Sequence, residues 1–393
     1  MSKKDNLLDA NFPDYEEGIV AGELHKRDRA DASRTAILRL LNQQLAAPQF
    51  ADPAEVVGLF GAMQAQEYRM MRWAVAMRTS RPSHKAFQEA FNSGRIIRLH
   101  LMRGTWQLVT ADDYWDFLNL CAPKTIAVTN GWMRNNITDI PDEEVRRVRD
   151  LLAQTAADKG SATKEDFVQA LADKDMPWDD HRLSYHIRMA EITGLLCSGD
   201  LQPMKVTYAL AADKVKRNNP LDRDEALLRF TRKYFQSHQP ATLEDFVWWS
   251  GLNVGDCRRG IALLGDYLHI EPLSAGPQQR RDFYMTADCR TRGFRKGRYL
   301  LIPPYDEYLI GYKSREVALP PEHRHKAHDN KGTFRPVVAH DGLICGNWSP
   351  FQEECEATFF EGDGDAGKLQ MIKKSKKGQK PYCLFLITNI SII

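Results

Sequence analysis

Apolar and polar positions follow a helical period in the first part of the chain and then change to strand-like alternation. The predicted elements are helices over 33–45, 53–60 and 69–78 and strands over 95–101 and 105–109. Asp52 followed by Pro53 is typical of an N-cap and the first residue of a helix. Gly104 separates the two strands. Three helices followed by a strand pair are the order of a winged helix-turn-helix unit.

The same pattern recurs twice further along the chain. Segments 162–168 and 241–247 are identical at six of seven positions, and each begins with a Thr suited to an N-cap and acids suited to a first turn. Each leads into a second helix, a glycine and a hairpin-like stretch. Internal repetition therefore predicts three tandem winged helix-turn-helix units.

The last quarter of the chain changes character. Short strand-like runs separated by Pro, Gly and Asp occur at 299–302, 308–312, 337–340, 343–345 and 383–387. The sequence thus predicts an α+β fold with a β-rich C-terminal domain. The predicted divisions are a polar extension (1–32), winged helices 1 (33–140), 2 (141–220) and 3 (221–297), and the β-rich domain (298–393).

Composition is that of a soluble globular protein, with 43% hydrophobic and 27% charged residues among 393. No apolar run approaches the roughly 18–20 residues of a membrane helix, and residues 1–31 lack the apolar region of a secretory signal. Seven cysteines are scattered without any C-x-x-C spacing, which favours reduced thiols. We expect a cytoplasmic protein without a disulfide framework.

The formal charge of +2, from 54 Lys+Arg and 52 Asp+Glu, excludes a protein coated in positive charge. The charge is nevertheless segregated. Residues 69–103 hold eight basic side chains against one acid, and 275–300 hold seven against two. Each cluster alone fits an ordinary solvated face equally well. Two clusters, each near a predicted hairpin, favour contact with a phosphate backbone.

Gln64 and Gln66 lie between the second and third predicted helices. In an extended segment both amides point to the same side and Ala65 turns into the core. Two amides supply carbonyl acceptors and N–H donors that suit holding a water molecule or a polar base edge. A Gln-x-Gln pair by itself fits a structural or surface role as well.

Three segments, at 61–66, 101–109 and 303–309, occur in the order found in the AlkZ-type winged-helix DNA glycosylases, and the chain resembles that family. The resemblance implies excision of alkylated purines and unhooking of interstrand crosslinks, tandem winged helices and a barrel-like C-terminal domain. It assigns Gln64 and Gln66 as the catalytic pair. It implies that the partner is double-stranded DNA carrying alkylated or crosslinked purines. It also implies a monomer associated with the nucleoid that uses no cofactor and no metal. Gln107 stands where the family has His, so that position cannot titrate.

A purine alkylated at N7 or N3 is cationic and leaves as a neutral base without a strong general acid. Two amides that orient a water then suffice, and no Lys in the motif is placed for a Schiff base, so we expect base release without strand cleavage. The candidate substrate- or DNA-binding residues are Arg69, Arg103, Thr105, Gln107, Arg280, Arg281 and Asp306. For Asp306, a buried hydrogen-bonding role stays open.

Two other functions remain compatible with the sequence. The first is a non-catalytic winged-helix DNA-binding protein or regulator, in which the glutamines contact DNA or cap a turn. The second is a protein-interaction scaffold, for which the basic clusters would be dispensable. The histidines at 323, 325 and 328 resemble a metal-binding run, but the neighbouring Arg and Lys favour a solvated loop.

Overall fold

The computed structural model describes residues 26–137, 140–217, 219–274, 280–350 and 357–360. Its α-helices are α1 (Lys26–Asn42), α2 (Pro53–Phe60), α3 (Met71–Ala76), α4 (His84–Asn92), α5 (Ala111–Asn136), α6 (Asp142–Lys159), α7 (Lys164–Ala172), α8 (Asp180–Ile192), α9 (Ala211–Lys214), α10 (Arg223–His238), α11 (Leu243–Ser250), α12 (Val254–Leu264), α13 (Glu307–Ile310) and α14 (Arg324–Ala327). Its strands are β1 (Met63–Gln64), β2 (Ile96–His100), β3 (Trp106–Thr110), β4 (Ala162–Thr163), β5 (Leu196–Ser198), β6 (Thr207–Leu210), β7 (Leu268–Ser274), β8 (Arg280–Thr286), β9 (Tyr299–Ile302), β10 (Val337–His340), β11 (Leu343–Trp348) and β12 (Ala357–Phe359). The predicted mixture of helices and strands is confirmed.

Local capping explains where several helices begin. The Asp52 side chain accepts a hydrogen bond from the backbone N–H of Ala54, and Pro53 opens α2 as the sequence predicts. Thr163 and Asp166 form a reciprocal capping box at α7. Ser83 caps α4, a helix that the sequence pattern did not predict.

One order of elements recurs three times along the chain: helix, short strand, helix, helix, strand, strand. It comprises α2-β1-α3-α4-β2-β3, then α6-β4-α7-α8-β5-β6, then α10, a single bridge, α11-α12-β7-β8. In the first two copies the last strand lies between the other two, giving the orders β1-β3-β2 and β4-β6-β5. In the third copy Ala241 bridges to Tyr284 of β8, which also pairs with β7. The repetition predicted from two seven-residue segments thus extends to the strand order.

The C-terminal region contains an open antiparallel sheet in the order β12-β11-β10-β9. Within the described ranges this sheet does not close into a barrel. The predicted strand at 308–312 was wrong, because Asp306 caps a short helix there and 307–310 form α13. The predicted strand at 383–387 lies outside the described residues.

By their contacts, the described residues divide into two compact units. One contains the described parts of 1–48, 235–246 and 266–393, and the other contains those of 49–234 and 247–265. We call them the C-terminal-sheet unit and the repeat unit. The helix predicted over 33–45 begins at Lys26 and belongs to the C-terminal-sheet unit, whereas α2 belongs to the repeat unit.

The repeat unit has a separate apolar core for each of its first two copies, one around Phe60, Met63 and Leu108 and one around Phe167 and Leu183. None of the helices in the described ranges combines the length and the hydropathy that a bilayer crossing requires.

Candidate active site

Gln64 and Gln66 lie in the short extended segment that follows α2. Gly61 ends that helix with φ of 73°, a conformation that favours glycine, and β1 then pairs with β3 so that Gln64 faces Gln107. Met63 and Ala65 belong to the apolar core of the first copy. Gln64 is 5% exposed and Gln66 is half-buried. Side chains alternate along the segment, so Ala65 is buried as the sequence predicts.

The hydroxyl group of Thr105 joins the amides of two glutamines. Its oxygen accepts a hydrogen bond from Gln107 Nε2 at 2.9 Å and from Gln64 Nε2 at 3.3 Å. The same hydroxyl donates to the Met102 carbonyl at 3.1 Å. Gln64 Oε1 accepts from the backbone N–H of Ala65 at 3.0 Å. These contacts fix the orientation of the Gln64 and Gln107 side chains.

Two amide oxygens at the site are buried without a partner. Within the described part of the chain, neither Gln66 Oε1 nor Gln107 Oε1 has a hydrogen-bond partner. Gln107 is 0% exposed. Buried carbonyl groups are nearly always hydrogen-bonded in folded proteins, so both oxygens are suited to accept from a bound molecule.

Arg98 supports the segment from the core side, a role that the sequence did not reveal. Its Nε donates to the Ala65 carbonyl at 3.1 Å, and its guanidinium lies 5.3 Å from the ring centroid of Tyr68 and 4.5 Å from that of Trp106. Burial lowers the pKa of Arg98, and the negative charge of Glu191 partly opposes this shift. The only sequence signal is an Arg within a strand of otherwise apolar neighbours.

His100 and Glu191 form a second buried polar contact nearby. The imidazole Nδ1 is hydrogen-bonded to Glu191 Oε2, and the ring packs 4.0 Å, centroid to centroid, from Trp106. Burial lowers the pKa of His100 and Glu191 opposes this, so burial favours the neutral imidazole. The contact joins β2 of the first copy to α8 of the second.

Arg69 and Arg103, both predicted to bind DNA, have intramolecular contacts. Arg69 is half-buried and pairs with Glu67 at 3.2 Å. Arg103 has a left-handed backbone, with φ of 54°, and its guanidinium lies 5.8 Å from the ring centroid of Trp248. The Arg103 side chain also packs against Gly251: a Cβ atom at position 251 would lie only 2.7 Å from Arg103 Cγ.

The remaining predicted site residues belong to the C-terminal-sheet unit. Arg280 and Arg281 begin β8, opposite Ser274 and Leu273 of β7, and the intervening 275–279 lie outside the described residues. Asp306 is 4% exposed and accepts from the backbone N–H of Tyr308 at 2.9 Å as the N-cap of α13. This capping contact is the hydrogen-bonding role that the sequence left open.

The basic cluster at 69–103 does not form one surface. Arg72, Arg78 and Arg98 are at most 5% exposed. Arg72 donates to the carbonyls of Gln202 and Pro203, which tethers α3 of the first copy to the β5–β6 connection of the second. Three of the eight basic residues of this cluster therefore lie in the core, and neither a solvated face nor a phosphate contact describes them. Among the described residues, no group of three or more His, Cys, Asp or Glu side chains could hold a metal ion.

Comparisons with known proteins agree with this architecture. A family model described as "DNA glycosylase AlkZ-like" matches residues 57–359. An interstrand DNA cross-link repair glycosylase from Streptomyces sahachiroi is 28% identical over 339 residues, covering 79% of this chain and 87% of the relative. The structure of the Streptomyces sahachiroi DNA glycosylase AlkZ has the same fold, with a TM-score of 0.68 and 22% identity over 87% of this chain and 94% of that one. Because the family model spans most of the chain, the protein belongs to the AlkZ-like DNA glycosylase family, as its three motifs predict.

Proposed function

We propose that the protein is a monofunctional DNA glycosylase that hydrolyses the N-glycosidic bond of cationic alkylated purines. N7 and N3 adducts are the substrate class, and we include interstrand crosslinks because a relative is named as a crosslink repair glycosylase. We assign the three repeated element sets as winged helices that carry the enzyme on duplex DNA. The C-terminal sheet is assigned to a barrel-like domain.

The observation that carries this proposal is the buried carbonyl oxygen of Gln66, which has no hydrogen-bond partner in the described part of the chain and comes two residues after the anchored amide of Gln64. A water that donates to Gln66 Oε1 is held with its oxygen lone pairs available to attack the anomeric carbon. The amide dipoles also stabilise the positive charge that develops on the sugar. Because the leaving base is already cationic, the site needs no strong acid.

For DNA binding, we assign phosphate contacts to Arg69, directly after the glutamine segment, and to Arg280 and Arg281 at the β7–β8 hairpin. Thr105 and Asp306 use their side chains in intramolecular hydrogen bonds. We therefore assign them no direct role in contacting DNA.

The test uses one duplex with a single N7-methylguanine and a second with an N7-to-N7 interstrand crosslink. We expect the wild type to release the modified base and leave an abasic site that breaks only after hot alkali. Gln66→Ala lowers kcat by about 10²–10³-fold, the scale of losing one preorganised polar group. Gln64→Ala lowers kcat by a similar factor, and both variants keep the wild-type affinity for DNA, measured by fluorescence anisotropy.

Gln154→Ala is the matched control, because it removes an exposed amide on α6 and leaves the rate unchanged. Strand breaks without alkali would refute the monofunctional assignment. Binding of DNA by a wild type that releases no base from either duplex would favour the alternative, a non-catalytic winged-helix protein.

A further inference from the structure

The three hydrogen bonds of Thr105 exhaust what a hydroxyl group can make. A threonine hydroxyl has one proton and two lone pairs. Its proton goes to the Met102 carbonyl, which has no proton to give, so the oxygen accepts both remaining bonds. Only the N–H ends of the two amides can therefore approach Thr105. The chemistry fixes which end of Gln64 and which end of Gln107 points at the hydroxyl.

The consequence is clearest at Gln107. With its NH₂ group on Thr105 at 2.9 Å, its carbonyl oxygen is turned away from the hydroxyl. That oxygen is buried and has no hydrogen-bond partner in the described ranges. Gln107 lies directly opposite Gln64 in the β1–β3 ladder, so its side chain is on the same face of the sheet.

A water molecule supplies the donors that these oxygens are suited to bind. A water that gives both protons to two amide oxygens keeps its lone pairs free for attack on carbon. As the new C–O bond forms, the C–N bond breaks and its electron pair leaves with the base, which becomes neutral. The attacking oxygen then loses one proton to solvent water, because an amide is too weak a base to keep it. Gln66 Oε1 and Gln107 Oε1 are the two acceptors of the site left without partners by the described residues. A rotated Gln107 would present an N–H donor instead, which would compete for those lone pairs.

We propose that Thr105 is a positioning residue of the glycosylase, whose hydroxyl group holds the Gln107 amide so that its carbonyl oxygen binds the attacking water together with Gln66. This inference rests on the proposed function. It replaces the expectation that Thr105 and Gln107 contact DNA directly.

Thr105→Val tests the proposal, because valine keeps the shape and removes the hydroxyl. We expect kcat for N7-methylguanine release to fall about 10- to 100-fold, with the Kd for DNA unchanged. Thr105→Ser restores the hydroxyl and keeps kcat within about threefold of wild type. Thr79→Val is the matched control, since it also removes a buried hydroxyl, one that donates only to the Val75 carbonyl.

A double-mutant cycle with Gln107→Leu separates positioning from general destabilisation. If Thr105 acts through Gln107, the double variant is no slower than the slower single variant. The proposal would be overturned if the decreases in kcat of the two single variants multiply in the double variant, or if Thr105→Val is as fast as an active wild type. Either result would leave the glycosylase assignment standing. A wild type that releases no base would overturn both.

If Thr105→Val melts more than a few degrees below wild type, the kcat values of Gln107→Leu and Thr105→Ser are compared with wild type instead. A folded Gln107→Leu variant that keeps full kcat would then refute the role of the Gln107 amide in binding the water.

Discussion

Replacing Arg98 by methionine tests whether a buried cation holds the backbone between Gln64 and Gln66. Arg98 is 3% exposed, and its Nε bonds the Ala65 carbonyl at 3.1 Å. Methionine keeps the apolar stem of the side chain and reaches about as far as Nε, but it cannot donate to that carbonyl and leaves the place of the guanidinium between the two rings empty. The segment therefore loses its anchor together with the packing of the guanidinium group.

The size of the effect follows from the contacts removed. A hydrogen bond from a charged donor contributes about 1.5–3 kcal/mol, and cation–π contacts with Tyr68 and Trp106 add about 1–2 kcal/mol each. Part of this sum is offset, because methionine also removes a buried charge that is costly to desolvate. We expect a net loss of about 2–4 kcal/mol. For a unit of about 200 residues, this corresponds to a Tm lower by about 5–15 °C.

Thermal unfolding followed by circular dichroism measures the stability change, and base release at a temperature where the variant is folded measures the site. Arg95→Met is the matched control: it removes an exposed arginine paired with Asp52, and surface pairs of this kind are worth about 0–1 kcal/mol. Equal Tm values for the two variants would refute the assignment of Arg98 to the core. A stable Arg98→Met enzyme with the wild-type kcat would show that the segment keeps its geometry without the guanidinium.

Three further predictions concern other parts of the chain. Asp113→Ala removes a fully buried carboxylate that forms an ion pair with Arg229 at 2.8 Å and accepts a hydrogen bond from Lys233 Nζ at 2.8 Å. The repeat unit should therefore lose about 3–5 kcal/mol of stability, seen as a lower Tm, and an unchanged Tm would contradict the role of this buried carboxylate. Burial, with Arg315 and Arg324 nearby, lowers the pKa of His328 from 6.5 to about 4. The unfolded chain therefore binds the proton first, and the free energy of unfolding falls as the pH is lowered from 6.5 to 4. In His328→Phe this loss should be smaller by about 1–2 kcal/mol, and parallel plots of stability against pH for the two proteins would refute the prediction. Arg281→Ala should reduce the salt slope of DNA binding by about 1 with kcat retained, and an unaltered slope would remove it from the phosphate contacts.

Capping signals are the part of the fold that the sequence predicts well, because they depend on neighbours along the chain. The shared Thr-x-x-Asp pattern of the two matching segments forms the same N-cap hydrogen bonds in the structure, at Thr163 with Asp166 and at Thr242 with Asp245. What the pattern cannot show is the second role of Asp245. That carboxylate is 2% exposed and also accepts from the backbone N–H of Lys313.

Short apolar runs are where sequence periodicity fails. Residues 308–312 were predicted as a strand because four or five apolar residues fit either a strand or a helical turn. Asp306 caps the helical turn locally, and a distant partner adds to it: Glu307 is buried and its Oε2 lies 3.1 Å from His238 Nε2. The contact with His238, 69 residues away, is invisible to a pattern read along the chain. The candidate site shows the same limit, since the motif names Thr105 only as a candidate for DNA binding and cannot show that its hydroxyl accepts from the amides of Gln64 and Gln107.

Charge counted along a sequence is a poor measure of a DNA-binding surface, and the segment 69–103 shows why. A guanidinium group can be buried when aromatic rings cover its faces and carbonyls accept its N–H groups. Arg78 lies 5.2 Å from the ring centroid of Phe60 and donates to the Ala74 carbonyl. Arg72 and Arg98 are buried by contacts of the same kind. Their substitution would perturb folding before it changed DNA affinity, so experiments on phosphate contacts should begin with residues outside the core, such as Arg69 and Arg281.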